Sequence, residues 1–286
     1  MKTAIVTDTN SGIFPEEGTR LGIFVLPMPV ILDDQIRYEG TNLSVEQFYQ
    51  ALSEGRSVSS SQPSLGDVLL LWDGILEEYD ELVYIPMSSG LSSACRTAQG
   101  LSKEYGGRVQ VADNHRISVS LKSSALDAKA LADAGCTAVE IKEELERTAY
   151  DAITYVGVET LEYLKRSGRV TTAGAALGTM LNIKPLLKIE GERLDAYAKV
   201  RGTANCRKRL IQAIEESIEA FCKRGWSLHI GLADSFTAPA AKEEWLSTAS
   251  ELLARDDIEY SPLTCSIGSH TGANAFGMAV SRRITG

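Results

Sequence analysis

The sequence predicts an α/β protein built in two parts. Residues 1–152 read as a three-layer α/β/α domain with a mainly parallel sheet. Residues 153–286 read as an α+β domain with an antiparallel or mixed sheet. Three observations carry this. Apolar strand-like runs alternate with helix-like stretches through the first half, as a parallel sheet with helices on both faces requires. After about residue 152 the pattern turns to strands in hairpin-like pairs with long helices between them. The length, 286 residues, exceeds what one ordinary domain needs.

The elements follow in order. Lys2 to Thr7 is a strand ending at Asp8. Ile23 to Ile31 is one extended segment, in which Pro27 and Pro29 favour an edge or an irregular run. Val45 to Glu54 is a helix, from the spacing of Val45, Phe48, Tyr49 and Leu52. Ser64 to Tyr79 is a stronger one, and its stripe Val68, Leu71, Trp72 and Ile75 reads as core rather than as a ligand channel. Leu82 to Ile85 and Arg108 to Ala112 are strands, the second ended by Asp113 and Asn114. Ser118 to Ala134 and Thr137 to Thr148 are helices, broken at Gly135; Thr137 and Glu140 form a capping box.

Ala152 to Val158 is a strand, Leu161 to Lys165 a short helix, and Thr171 to Thr179 a small-residue helix. Ile183 to Ile189 and Leu194 to Val200 flank Glu190-Gly191-Glu192 as a hairpin. Thr203 to Lys223 is a long helix, Leu228 to Ala233 a strand, and Pro239 to Leu253 a helix with proline in its first turn. Tyr260 to Ile267 and Phe276 to Arg283 read as strands around a loop, Gly268-Ser269-His270-Thr271-Gly272.

Composition removes several function classes. A net charge of −9 argues against nucleic acid as a partner, because phosphate backbones demand a basic face. No apolar stretch approaches a membrane span, and the N-terminus lacks the apolar region of a secretory signal, so a cytoplasmic location is expected. The five cysteines are scattered with no C-x-x-C pair, so neither a disulfide framework nor a zinc site is indicated. They read as small buried side chains. Among the histidines, His229 sits inside a strand and reads as a core residue, and His115 as a solvated turn residue.

Two serine clusters stand out. Ser88-Ser89-Gly90-Leu91-Ser92-Ser93 follows an apolar strand and precedes a helix, and Ser59-Ser60-Ser61-Gln62-Pro63-Ser64 precedes another. Hydroxyls and free backbone N–H groups at a helix start suit a carboxylate or a phosphate. Ordinary N-capping explains either cluster alone. Ligands in open α/β sheets sit at the carboxyl ends of strands. Asp8, the Ser88–Ser92 turn and Asp113 all fall there.

These motifs, with others in the same order, resemble those of the DegV family along nearly the whole chain. Within it the resemblance is to bacterial proteins that bind a fatty acid and present it to a fatty acid kinase. Ile5-Val6-Thr7-Asp8-Thr9 is similar to the family's opening strand. Ser60-Ser61-Gln62-Pro63 resembles its Thr-Ser-Gln-Pro motif, and Ser88-Ser89-Gly90-Leu91-Ser92-Ser93 its Ser-Ser-Gly-Leu-Ser-Gly motif. Ser167-Gly168-Arg169 resembles its Gly-Gly-Arg segment, Ile183-Lys184-Pro185-Leu186 its Lys-Pro strand, and His270-Thr271-Gly272 its histidine turn. Three departures stand out: Ser60 for threonine, Ser93 for glycine, and Ala273-Asn274 after Gly272.

The resemblance implies a long-chain fatty acid as ligand. Its carboxylate would rest on the hydroxyls of Ser60 and Ser92, supported by Ser61, Ser89, Gly90, Arg169 and His270, with the tail in an apolar tunnel. It implies no catalytic residue, no metal and no cofactor in this chain. The partner kinase would make an acyl phosphate for phospholipid synthesis, and transient contact with a membrane surface would let the lipid exchange. A serine hydrolase is the rival reading: Gly90-Leu91-Ser92-Ser93-Ala94 approximates a nucleophile elbow, and Ser92, Asp234 and His270 keep the chain order of an α/β-hydrolase triad. Phosphoryl transfer ranks lower, since no G-x-x-x-x-G-K-[ST] loop is present.

Overall fold

A computed structural model describes residues 1–177 and 183–284. The expected α/β class is found. The first sheet has the order β2-β1-β6-β7 and is wholly parallel: β1 (Thr3–Asp8), β2 (Phe24–Leu26), β6 (Glu81–Ile85) and β7 (Val109–Val111). On one face lie α3 (Leu65–Leu76) and α4 (Ala94–Leu101), where Trp72 and Cys95 pack with Tyr84 and Val111. The stripe Val68, Trp72 and Ile75 is therefore core, as its spacing predicts. On the other face lie α5 (Val119–Asp133) and α6 (Ala138–Arg147), the latter opened by the expected Thr137–Glu140 capping box.

The second sheet is mixed, with the order β10-β9-β8-β13-β11-β12. It contains β8 (Ala152–Gly157), β9 (Ile183–Ile189), β10 (Asp195–Arg201), β11 (Leu228–Asp234), β12 (Glu259–Pro262) and β13 (Phe276–Arg282). Strands β9 and β10 form the predicted antiparallel hairpin, and among the described residues of this sheet only β11 and β12 pair in parallel. The long α9 (Thr203–Cys222) and α10 (Pro239–Leu253) cover one face through Leu210, Ile214 and Trp245.

Helix α5 covers part of the other face, so it lies between the two sheets and touches β1, β11 and β13. Its Ala125 and Ala128 are fully buried there. The close approach also needs Gly231 on β11, where a Cβ would stand 2.6 Å from Val119 Cβ. His229 on the same strand meets Asp127 of α5 at 3.1 Å and is a buried core histidine, as expected.

Several local expectations are corrected. The extended segment Ile23 to Ile31 is two strands in two sheets. It breaks at Pro27 and Met28, after which β3 (Pro29–Leu32) joins a small antiparallel sheet of order β4-β3-β5. Strands β4 (Gln35–Tyr38) and β5 (Val58–Ser60) are too short to leave a periodic signal. Asp33 and Asp34 both take positive φ, as a two-residue hairpin turn of the primed type needs. The stretch Tyr260 to Ile267 is not one strand. It is β12 followed by α11 (Cys265–Thr271), so His270 lies in the last turn of a helix rather than in a loop. His115 is half-buried rather than solvated and stacks on Tyr150 with ring centroids 5.0 Å apart. Cys222 is exposed, whereas Cys95, Cys206 and Cys265 are buried. Of the predicted helix Thr171 to Thr179, α8 (Thr172–Ala175) is found, and residues 178 and 179 lie outside the described residues. The remaining helices are α1 (Pro15–Leu21), α2 (Val45–Ser53) and α7 (Glu162–Ser167).

Candidate functional site

Ser60 ends β5, where it pairs across the small sheet with Val30. The following Ser61 N–H donates to the Pro29 carbonyl at 3.2 Å. Gln62 then ties this cluster to the other one: its Oε1 accepts from Ser93 Oγ at 3.0 Å and from Thr97 Oγ1 at 3.3 Å. The Ser88–Ser92 turn is fixed from several sides. Ser92 N–H donates to the Ser88 carbonyl at 3.0 Å, and Ser88 Oγ donates to the Gly191 carbonyl at 2.6 Å. Ser92 Oγ accepts from the Ala94 N–H at 3.2 Å, which leaves its own proton free to donate.

Asp8 holds this turn from beneath rather than meeting the serine hydroxyls. Its carboxylate accepts from Asn10 N–H at 2.9 Å and from Met87 N–H at 3.2 Å, and burial pushes its pKa up to about 6. Glu39 is a second buried carboxylate. It accepts from Thr9 Oγ1 at 2.9 Å and from the Cys265 N–H at the start of α11. Burial pushes its pKa up to about 7.

Helix α11 carries His270 to the site. His270 Nε2 lies 2.8 Å from Ser60 Oγ across 210 residues of chain. Burial first, then the nearby cations Arg169 and Arg166, lower the imidazole pKa to about 4. The ring is therefore neutral at ordinary pH. Arg169, after α7, donates from Nε to the Leu91 carbonyl at 3.2 Å, so it braces the serine turn while keeping its charge beside the site.

Ser60, Ser61, Ser92, Arg169 and His270 all line one cavity. Beyond this polar end the wall is mostly apolar, with Met28, Met87, Val156, Ile189, Leu263 and Met278 drawn from both halves of the chain. A mostly apolar pocket with a few convergent polar groups suits a small amphipathic molecule. Ser89 and Gly90 stand off the cavity wall. Ser89 N–H donates to Asp113 Oδ1 at 3.2 Å, and Gly90 backs onto Glu192.

Asp234 does not join Ser92 and His270. It accepts from the Phe236 N–H at 3.0 Å and lines a separate cleft with Tyr49 and Lys242. His270 Nδ1, which a triad carboxylate would engage, has no hydrogen-bond partner among the described residues. The hydrolase arrangement is thus not assembled. Among the described residues no cluster of His, Cys, Asp and Glu could hold a metal ion, and no helix is long and apolar enough to cross a membrane. Sequence reasoning missed Asn10, which also borders the cavity. Its place directly after the carboxyl end of β1 was the available signal.

Fold and site together define an α/β protein with an apolar internal cavity capped by hydroxyls, a neutral histidine and an arginine. The chain belongs to the DegV family, whose sequence model, described as that of an uncharacterised protein family, matches residues 2–283. A DegV domain-containing protein of Deinococcus radiodurans is 32% identical over 284 residues, covering 98% of each chain. One from Streptomyces coelicolor is 33% identical over 285 residues, again with 98% of each covered. Among solved structures, the chain is similar to a fatty-acid-binding DegV family protein from Thermus thermophilus. The two are 29% identical with a TM-score of 0.84, over 99% of this chain and 100% of that one. A lipid-binding DegV protein from Thermotoga maritima is 26% identical, with a TM-score of 0.82 over 99% of both chains. A stearic-acid-binding protein from Eubacterium ventriosum shares the fold at a TM-score of 0.87 and 16% identity, over 99% of this chain and 98% of that one.

Proposed function

We propose that this protein binds one long-chain fatty acid and presents its carboxylate to a fatty acid kinase. The observation that carries the reading is the meeting of Ser60, Ser92, Arg169 and His270 at the polar end of one apolar cavity. Residues 1–152 would act as the domain supplying the serine loops, and residues 153–286 as the domain supplying Arg169 and His270.

The chemistry follows from the proton inventory. A carboxylate only accepts hydrogen bonds. Ser60 must therefore donate to it, so the neutral His270 donates its Nε2–H to Ser60 Oγ. Ser92 supplies a second donor, and Arg169 supplies positive charge. Ser61 Oγ donates to the Gln62 carbonyl at 3.1 Å and so steadies its loop beside the head group, while Ser89 and Gly90 hold the turn in shape. Hydrogen bonds to a charged group contribute about 1.5–3 kcal/mol each. Burying a sixteen-carbon tail contributes roughly 12 kcal/mol of gross transfer energy. The tail thus holds the ligand and the head group orients it.

No group in this arrangement breaks a bond. The partner kinase brings ATP and metal and phosphorylates the carboxylate, and the acyl phosphate then enters phospholipid synthesis in the cytoplasm of a bacterial cell. Ligand exchange proceeds by transient contact with a membrane surface, because the tail term makes release into water slow. The test is titration of the delipidated protein with labelled palmitate, followed by a fatty acid kinase with ATP and magnesium. Saturable binding and kinase-dependent acyl phosphate are expected. Refusal of palmitate would sink the reading. Binding without acyl phosphate would leave a carrier without that partner.

A further inference from the structure

The parallel sheet leaves one apolar edge open. Strand β2 pairs with β1 on one side and, among the described residues, with no strand on the other. Beside it runs a groove that shares no wall residue with the cavity described above. Phe24, Val25 and Leu26 line it from the strand, and Leu70, Leu71 and Gly74 from helix α3. Leu70 is 77% exposed, and a Cβ at Gly74 would meet nothing within 4 Å, so the helix face is open where the groove passes. Leu65 on the same helix is exposed as well, and so is Ile36 on β4, which shares a strand face with the groove residue Tyr38. A run of exposed apolar side chains with a polar rim marks an interaction site, which single exposed leucines do not.

The charge of the rim has one sign. Residues 57–95 include Asp67, Asp73, Glu77, Glu78, Asp80 and Glu81 but no Lys, Arg or His. Asp67 and Glu78 line the groove, with Asp73 on the same helix and Glu77 at its end. Asp67 and Asp73 accept from the hydroxyls of Tyr38 at 3.2 Å and Tyr105 at 2.7 Å. None of Asp67, Asp73, Glu77 and Glu78 forms an ion pair among the described residues. One cation stands nearby: Lys2 Nζ lies 3.9 Å from the centre of the Tyr79 ring, another wall of the groove.

These features select the occupant. Anionic lipid and nucleic acid carry the wrong sign. A second copy docked through the same groove would set acid against acid, because a two-fold contact brings like surfaces together. An open strand edge accepts another strand through main-chain hydrogen bonds. We propose that this groove docks an extended segment of another protein, which adds a strand to β2, packs its apolar side chains against Leu70 and Leu71, and pairs its lysines or arginines with Asp67 and Glu78.

The test titrates the full-length protein with the peptide Lys-Val-Lys-Ile-Lys-Val-Lys and with its counterpart carrying glutamate for every lysine. Hydrogen exchange locates the contact. The lysine peptide is expected to bind saturably and to slow exchange at residues 24–26, and the glutamate peptide not to bind. Leu70→Ser and Glu78→Lys are each expected to weaken the lysine peptide about tenfold, a change of about 1.4 kcal/mol. Both side chains are exposed, so both variants keep the fold, which urea unfolding verifies. Absence of saturable binding overturns the proposal. So does binding that neither substitution weakens, since that is attraction to net negative charge alone. Dimerisation in sedimentation that Leu70→Ser abolishes would make a second copy the occupant, and vesicle binding abolished by the same change would make it a membrane; either result overturns the proposal. The fatty-acid reading stands or falls separately, because groove and cavity share no wall residue.

Discussion

Gly268→Ala tests whether α11 is seated as described. A Cβ at Gly268 would stand 2.8 Å from Phe48 Cε1 and closer still to the Tyr49 hydroxyl. Neither ring can retreat easily. They are 0% and 4% exposed, pack edge to face with centroids 5.0 Å apart, and Tyr49 is tethered by its bond to the Leu263 carbonyl at 3.1 Å. Overpacking a core costs about 1–3 kcal/mol, and loss of the Tyr49 hydrogen bond about 1 kcal/mol more. Alanine offsets about 1 kcal/mol of this through its better helix propensity. The net expectation is a loss of about 1–3 kcal/mol. His270 lies two residues further on, so a displaced α11 also lengthens the 2.8 Å contact with Ser60. Urea unfolding of the delipidated variant reads the first effect, and a palmitate titration the second. A variant as stable as the wild type, with unchanged palmitate affinity, would refute the packing argument.

Three further outcomes are expected. Glu39 has its folded pKa raised to about 7 from an ordinary 4.5, so its contribution is most favourable below pH 4.5 and is lost as pH rises through 7. Glu39→Gln removes that dependence, so its stability relative to wild type should improve by about 3 kcal/mol between pH 4.5 and pH 7 in urea unfolding; a constant difference would contradict a carboxylate held uncharged by burial. His270 works in the opposite sense, because a pKa lowered to about 4 means stability is lost as pH falls from 6.5 toward 4. His270→Asn should flatten that limb, and an unchanged profile would mean the ring is not buried as a neutral base. Ser92→Ala should cost about 1.5–3 kcal/mol of head-group interaction, with a larger loss in kinase-dependent acyl phosphate because transfer needs a fixed carboxylate; if neither changes, the Ser88–Ser92 turn is only a helix start.

Legibility in the sequence tracked the length and periodicity of each element. Helix α10 lies where Pro239 and the following apolar spacing put it, and the β9–β10 hairpin lies around Glu190-Gly191-Glu192. Long periodic segments declare themselves because one face is buried along their whole length. Strands β4 and β5 have four and three residues, too few for a period, and exist because β3 pairs them. Helix α11 was hidden by its own composition. Gly268 and Ser269 read as turn formers, yet the glycine is what lets the helix press against Phe48 and Tyr49. Packing there overrides local propensity.

The site was legible as motifs and not as geometry. Ser60 and His270 could be singled out from their neighbours, but no local pattern says that residues so far apart touch. The arginine's grip on Leu91 and the buried carboxylates of Asp8 and Glu39 arise only once β1, β6 and α11 converge. Asp234 shows the converse: chain order suggested a triad, and the fold puts the carboxylate in another cleft.

The central claim is that the cavity is occupied by an acyl chain in the working protein. The most direct measurement is organic extraction of the protein as purified from a bacterial host, with quantification of fatty acids by mass spectrometry. The predicted result is roughly one long-chain fatty acid per chain, as a single buried site requires. An extract without stoichiometric fatty acid, from protein that also refuses added palmitate, would contradict it.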